Sequence, residues 1–296
     1  MVSAVEHPAV AASVARSSAD HIVIPVDGSG RIDVATFATL VDCVLGREHV
    51  LPADALIVVQ HANNETGVVQ PIDEIANVAR DRGIRLMVDA VQSAGRVEID
   101  QRRWGAEYLV LSSHKIGGPQ GAGALVATDD AKIDALLVGG GQERGRRAGT
   151  ENIAAIAGFG AAAGAARSDL ADISRMADLR ARLEAGLINV APDAIVIGKD
   201  APRLANTSLI ALPRAPAETA VIALDLAGVA ASAGAACSSG KTTRSPVLAA
   251  MGIHNDIAKC AVRFSLGWAT TEDDVSRCID AWQQVNRIRS GVRDVA

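Results

Sequence analysis

The chain has 296 residues, with 29 basic and 34 acidic side chains for a formal net charge of −5, and with 49% hydrophobic but only 2% aromatic residues. Such a length houses one large or two medium domains; the charge balance argues against a nucleic-acid or anionic-membrane surface, and the scarcity of aromatics leaves the core to aliphatic side chains. The four cysteines, Cys43, Cys237, Cys260 and Cys278, form no CxxC pair, which argues against a structural metal site or a disulfide framework and fits a reducing compartment.

The opening stretch MVSAVEHPAV lacks the basic and apolar regions of a secretory signal. No uncharged apolar run reaches membrane-spanning length, so a cytoplasmic protein is the expectation. Strands are expected at 21–27 (HIVIPVD), 54–61 (DALIVVQH), 84–90 (IRLMVDA), 106–114 (AEYLVLSSH) and 123–127 (GALVA). Helices are expected between them at 34–45 and 71–83, the second with Pro71 at its first turn and Gly83 as its stop. This alternation predicts an α/β fold, a mostly parallel sheet with helices on both faces. A small-residue helix follows at 151–167, and a polar one from about Ser168. Beyond it, short strands at 194–198, 206–212, 229–232 and 260–267 mix with helices at 217–227 and 271–290. We read two domains: 1–170, and a smaller α+β domain over 171–296.

In open α/β sheets ligands bind where strands end at their carboxyl edge. Polar clusters stand at three such ends here: His61 to Gly67, Asp89 to Gln92, and Ser112, His114 and Lys115. A lysine at the end of a core strand is either well paired or covalently occupied. A lysine nucleophile, an aspartate for a pyridinium nitrogen and hydroxyl donors for a phosphate are what pyridoxal phosphate requires. Taken singly, each has a plainer reading: Asp89 as a loop acid, Lys115 as a solvated turn residue, Asn63-Asn64 as a turn. Their shared order at successive strand ends favours the cofactor.

The segments EHPAV (6–10), HANNETGVVQPI (61–72), VDAVQSAGR (88–96), SSHKIGGPQGAGAL (112–125), GGGQERGRRAGTEN (139–152), AGAACSSGK (233–241) and VRFSLGWATTEDDV (262–275) closely resemble the cysteine desulfurases of the class V aminotransferase group, pyridoxal-phosphate enzymes of fold type I. The resemblance implies that Lys115 is the Schiff-base lysine, Asp89 the pyridinium partner and Gln92 the partner of the ring hydroxyl. It implies that His7 stacks on the ring and assists proton transfer, that Asn64 touches cofactor and substrate, and that Ser112 and His114 reach the phosphate. Thr150 would join them from the other subunit of a homodimer, and Arg263 would hold the substrate carboxylate, a task for which its planar fork is suited. The implied reaction takes L-cysteine to L-alanine and leaves a persulfide on a cysteine, for an iron–sulfur scaffold or another sulfur acceptor.

Cys237 is the cysteine expected to be reactive, because it lies in the small, polar, glycine-rich segment 233–241. Cys43, inside LVDCVL, is expected to be a buried structural residue, and so are Cys260 and Cys278. The segment around Cys237 resembles the family branch with a long cysteine loop, the nitrogen-fixation and housekeeping type. It imitates a nucleotide-binding P-loop, but its glycine spacing is one residue too long. In the resembled family roughly a hundred residues precede the counterpart of EHPAV and include a phosphate-gripping loop at a helix N-terminus. The chain is therefore read as N-terminally truncated, with an unpaired sheet edge or an exposed apolar face expected. Two alternatives stay open: another class V enzyme, such as a selenocysteine lyase or an aminotransferase, and a non-catalytic binding partner.

Overall fold

The computed structural model describes residues 1–234 and 245–291. Strands β1 (Val2–Ser3), β2 (Val23–Ile24), β3 (Leu56–Gln60), β4 (Arg85–Asp89), β5 (Tyr108–Ser112) and β6 (Gly123–Ala127) form one sheet in the order β2-β1-β3-β4-β5-β6. Every pairing is parallel except that of β6, which runs antiparallel to β5. The apolar runs of β3 and β4 read continuously because neighbours bury both faces. Helices α1 (Pro8–Arg16), α2 (Val34–Leu45), α3 (Ile72–Asp81) and α4 (Gln101–Trp104) accompany this sheet.

The first core packs Phe37 and Val41 of α2, Ile75 and Ala79 of α3, Ile57, Val59, Leu86 and Val88 of the strands, and Trp104. Because α2 buries Phe37, Val41 and Val44 on one stripe, Cys43 points the other way and is exposed. This corrects its expected burial: an apolar run alone does not say which helical face a residue takes. The expected strand at 21–27 contracts to Val23–Ile24. Pro25 has no amide to donate, and the Asp27 carboxylate closes a turn by accepting from the Ser29 and Arg31 amides.

Helices α5 (Ile153–Asp169) and α6 (Ile173–Val190) lead into a second sheet. Strands β7 (Ile195–Val196), β8 (Thr207–Ala211), β9 (Ser232–Ala233) and β10 (Ala261–Ser265) pair antiparallel in the order β7-β8-β10-β9. Helices α7 (Ala217–Leu226), α8 (Pro246–Ala250), α9 (Asn255–Ala258) and α10 (Glu272–Gly291) complete this part. Leu179, Leu183 and Leu187 of α6 meet Val275, Cys278, Trp282 and Val285 of α10 in a second core. There Phe264 and Trp282 pack edge to face, with ring centroids 5.8 Å apart. Cys260 and Cys278 are buried, as expected, and burial pushes the Cys278 thiol up to about 12, so it stays protonated. A third cluster brings Val5 against Leu209, Ala211, Leu248 and Met251, joining the two sheets. Among the described residues no helix is long and apolar enough to cross a membrane.

Candidate active site

The parallel register sets Gln60 opposite Asp89, and Asp89 opposite Val110. The three central strands therefore end along one rim of the sheet. Beyond β5 the chain turns through a short 3-10 segment, Ser113–Lys115, which swings Lys115 over that rim. His7, Asn64, Asp89, Gln92, Ser112, His114 and Lys115 all line one cavity of about 1180 Å³. The cavity runs on along the sheet face past Val58, Met87 and Val110 to Val10 and Val14 of α1. At the sheet edge, Leu125 and Val126 of β6 stand 50% and 39% exposed.

His7 closes the N-terminus of α1, its Nδ1 accepting from the Ala9 amide at 3.2 Å. The neutral ring therefore carries its proton on Nε2. Burial lowers its pKa; the Asp89 charge pulls it back up, while the Lys115 ammonium lowers it further. Imidazole, carboxylate and amine thus stand near enough to act on one another. Asp89 is held by the Val91 amide, 2.9 Å from its Oδ1. Burial raises its pKa, and the Val91 hydrogen bond and His7 oppose the rise. The Ser112 hydroxyl meets His114 Nδ1 at 2.9 Å. Arg96 clasps both sides of the cavity mouth, donating to the carbonyls of Gln92 at 2.6 Å and Lys115 at 2.8 Å. Arg263 stands beyond Asn64, donating from Nη1 to the Asn64 carbonyl at 2.8 Å.

Seven of the residues singled out from sequence therefore share one cavity, with Arg263 tied to it. Thr150 is exposed and does not line the cavity, and the cap of α5 is Asn152, whose Oδ1 accepts from the Ala155 amide. Cys237 lies outside the described residues. Sequence reasoning missed Glu6, Glu65 and Arg96. Glu6 is 6% exposed, its Oε1 accepts from the Gln60 amide at 2.6 Å, and its Oε2 has no partner. Burial pushes the Glu6 carboxyl up to about 8, the Gln60 hydrogen bond opposing and the Asp89 charge adding to the rise. An acid flanked by Val5 and His7 at a strand exit was the available signal.

The donor set fits pyridoxal phosphate. It offers an amine, a buried carboxylate and an imidazole around a space wide enough for an aromatic ring, with a hydroxyl and a second imidazole beside it. Asn64 Oδ1, buried and unpartnered on the same wall, is an acceptor left free for a ligand.

Residues 1–278 match the family model for class V aminotransferases. The chain is 39% identical to the cysteine desulfurase NifS of Azotobacter vinelandii over 301 residues, covering all of this chain and 72% of that protein. It is 40% identical to cysteine desulfurase 2 of Trichormus variabilis over 269 residues, covering 90% of this chain and 65% of that one. A NifS-like protein from Rickettsia africae superposes with a TM-score of 0.86 at 31% identity, over 97% of this chain and 75% of the other.

Proposed function

The chain belongs to the class V aminotransferase family, and on that premise we propose that it is a pyridoxal-phosphate-dependent cysteine desulfurase, converting L-cysteine to L-alanine with the sulfur delivered to Cys237. The single observation that carries this reading is the convergence of Lys115, Asp89 and His7 on one cavity, in a chain 39% identical to a desulfurase.

When bound, the cofactor supplies an electrophilic carbonyl and a ring that accepts electrons from the substrate carbon. Lys115 provides the anchoring amine. Asp89, buried at the sheet rim, pairs with the ring nitrogen and favours its protonated form. Gln92 serves the ring hydroxyl, while Ser112 and His114 serve the phosphate together with Thr150 of a second copy in a homodimer. His7 covers the ring and holds a transferable proton on Nε2. Arg263 and Asn64 orient the substrate by its carboxylate. The Cys237 thiolate forms a sulfur–sulfur bond as the substrate's carbon–sulfur bond breaks. Protons moved by Lys115 and His7 restore the methyl group of alanine. The persulfide then passes to an iron–sulfur scaffold or another acceptor protein in the cytoplasm. The chain divides near residue 170 into a cofactor-binding domain and a smaller domain carrying Cys237.

Incubation with pyridoxal phosphate and L-cysteine tests this directly. The expected result is an absorbance band near the ultraviolet–visible boundary, lost in Lys115→Ala, with alanine and sulfide formed in equal amounts when a thiol reductant is present. Cys237→Ala is expected to abolish sulfur transfer and keep the band. A transaminase would survive Cys237→Ala, and a protein that stays colourless would sink the enzyme reading.

A further inference from the structure

Next to the cavity lies a buried polar cluster to which the reaction as described assigns no part. Glu65 and Ser245 are 7% and 4% exposed. They meet through a hydrogen bond of 2.6 Å from the Ser245 hydroxyl to Glu65 Oε2, across 180 residues of sequence. Ser245 also caps α8, its Oγ accepting from the Leu248 amide at 3.1 Å. The Glu65 backbone is fixed in turn, its amide donating to Asn63 Oδ1 at 2.9 Å. The charge facing this carboxylate is that of Arg263, which opposes the rise in Glu65 pKa that burial causes.

Arg263 itself is incompletely satisfied. Its Nη1 is spent on the Asn64 carbonyl, whereas its Nε is buried with no partner. The Nε and Nη2 edge of a guanidinium is the one that grips a carboxylate with two parallel hydrogen bonds. A buried cation is costly without a counter-charge. A carboxylate sitting directly on that edge would satisfy it and block it; Glu65 instead is occupied by Ser245 and reaches Arg263 through space.

We propose that Glu65 is a positioning residue for the substrate pocket: it balances the Arg263 charge, leaves the Arg263 Nε unpaired for a substrate carboxylate, and holds the start of α8 against the 61–67 turn. This rests on the assignment of Arg263 to the substrate carboxylate made above. Glu65 touches no reacting atom and acts only through Arg263 and Ser245.

The test uses two ligands that differ only at the carboxylate. Wild type and Glu65→Gln, each loaded with pyridoxal phosphate, are titrated with L-alanine and with L-alaninamide, following the cofactor absorbance. The glutamine keeps the size of the side chain and an acceptor for Ser245 but removes the charge. L-alanine affinity is expected to fall roughly tenfold while alaninamide affinity stays within about twofold. Ser245→Ala is expected to preserve the preference for alanine and to lower the Tm of the cofactor-free protein. Equal weakening of both ligands, or of neither, overturns the proposal. Should Glu65→Gln not fold, Glu65→Asp carries the test. It keeps the charge and shortens the reach to Ser245, so the preference for alanine must persist, and its loss refutes the assignment. Wild type that prefers alanine over alaninamide but makes no persulfide from cysteine would defeat the desulfurase reading and leave Glu65 in its role. Wild type with no such preference defeats the role of Glu65.

Discussion

Glu6 and Asp89 are two buried carboxyls close enough for one to feel the charge of the other. Two adjacent acids away from water do not both ionise easily. Glu6, pushed up to about 8, keeps its proton at neutral pH. The consequence for stability has a definite sign. Between the ordinary carboxyl pKa of 4.5 and the folded value of about 8, the unfolded chain releases the Glu6 proton while the folded chain retains it. Stability therefore falls as pH rises through that window, by about 5 kcal/mol in all at about 1.4 kcal/mol per pKa unit. Glu6→Gln imitates the protonated acid. Urea unfolding of the cofactor-free variant is expected to match wild type near pH 4.5 and to exceed it by several kcal/mol at pH 8. An unchanged pH slope would mean that Glu6 is ionised in the fold. His61 works in the opposite direction. Buried edge-on against Trp104 with centroids 4.9 Å apart, it is lowered to about 4 by burial, so its stabilisation is lost as pH falls from 6.5 through 4.

At the scale of elements, the Lys115 turn is shaped by what α5 lets approach it. A Cβ at Gly118 would sit 2.3 Å from Ser113 Oγ, 3.2 Å from the Ser113 carbonyl oxygen and 3.1 Å from the Ala162 Cβ of α5. Gly118→Ala is therefore expected to cost about 1–3 kcal/mol through overpacking and to displace Lys115, weakening pyridoxal-phosphate binding as well. Gly160→Ala, in the same helix, meets nothing within 4 Å. It should stabilise by roughly 0.5–1 kcal/mol through helix propensity alone. Thermal unfolding of the pair, with cofactor titration, separates the two effects. The elements legible in sequence were those whose pattern is local. Strands β3, β4 and β5 lie within two residues of their expected ends, because an apolar run buried on both faces needs no partner to be recognised. Their polar ends then pointed to six of the cavity residues, Asn64, Asp89, Gln92, Ser112, His114 and Lys115, while His7 was named by the family resemblance alone. Helix α1 was not legible, since none of its residues is buried and its two large apolar side chains, Val10 and Val14, stand among alanines. Nor was β1, two residues long, whereas β2 is the part of the strand expected at 21–27 that persists. Glu6 and Arg96 escaped because their roles depend on Gln60 and on the Lys115 carbonyl, 54 and 19 residues away.

Across the whole molecule, the turn from His61 to Gln70 is the joint between the two sheets. The Val69 amide donates to the Pro202 carbonyl and the Leu204 amide to the Gly67 carbonyl, both at 2.8 Å. Gly67 is suited to this place by its φ of +75° and by Thr207, whose Cβ would lie 3.0 Å from any side-chain carbon there. Behind the joint, Arg203 grips Glu184 of α6 with two hydrogen bonds of 2.7 and 3.0 Å, and Ser208 of β8 donates to the same carboxylate at 2.6 Å. The Arg203 side chain is 6% exposed, against 15% for Glu184. Removing Arg203 leaves the sheltered carboxylate with only the Ser208 hydroxyl and the more distant Arg180, 3.9 Å away, at a cost of about 3 kcal/mol. Arg203→Met should therefore loosen the second sheet from the first before either melts. In native-state hydrogen exchange under mild urea, the amides of β3 and β4 and those of β8 and β10 are expected to open together in wild type. In the variant, β8 and β10 should open at lower urea while β3 and β4 keep their protection. If the two sheets already open separately in wild type, the active-site rim is held by the first sheet alone, and the Glu65–Ser245 and Asn64–Arg263 hydrogen bonds are a docking contact instead of part of one cooperative unit.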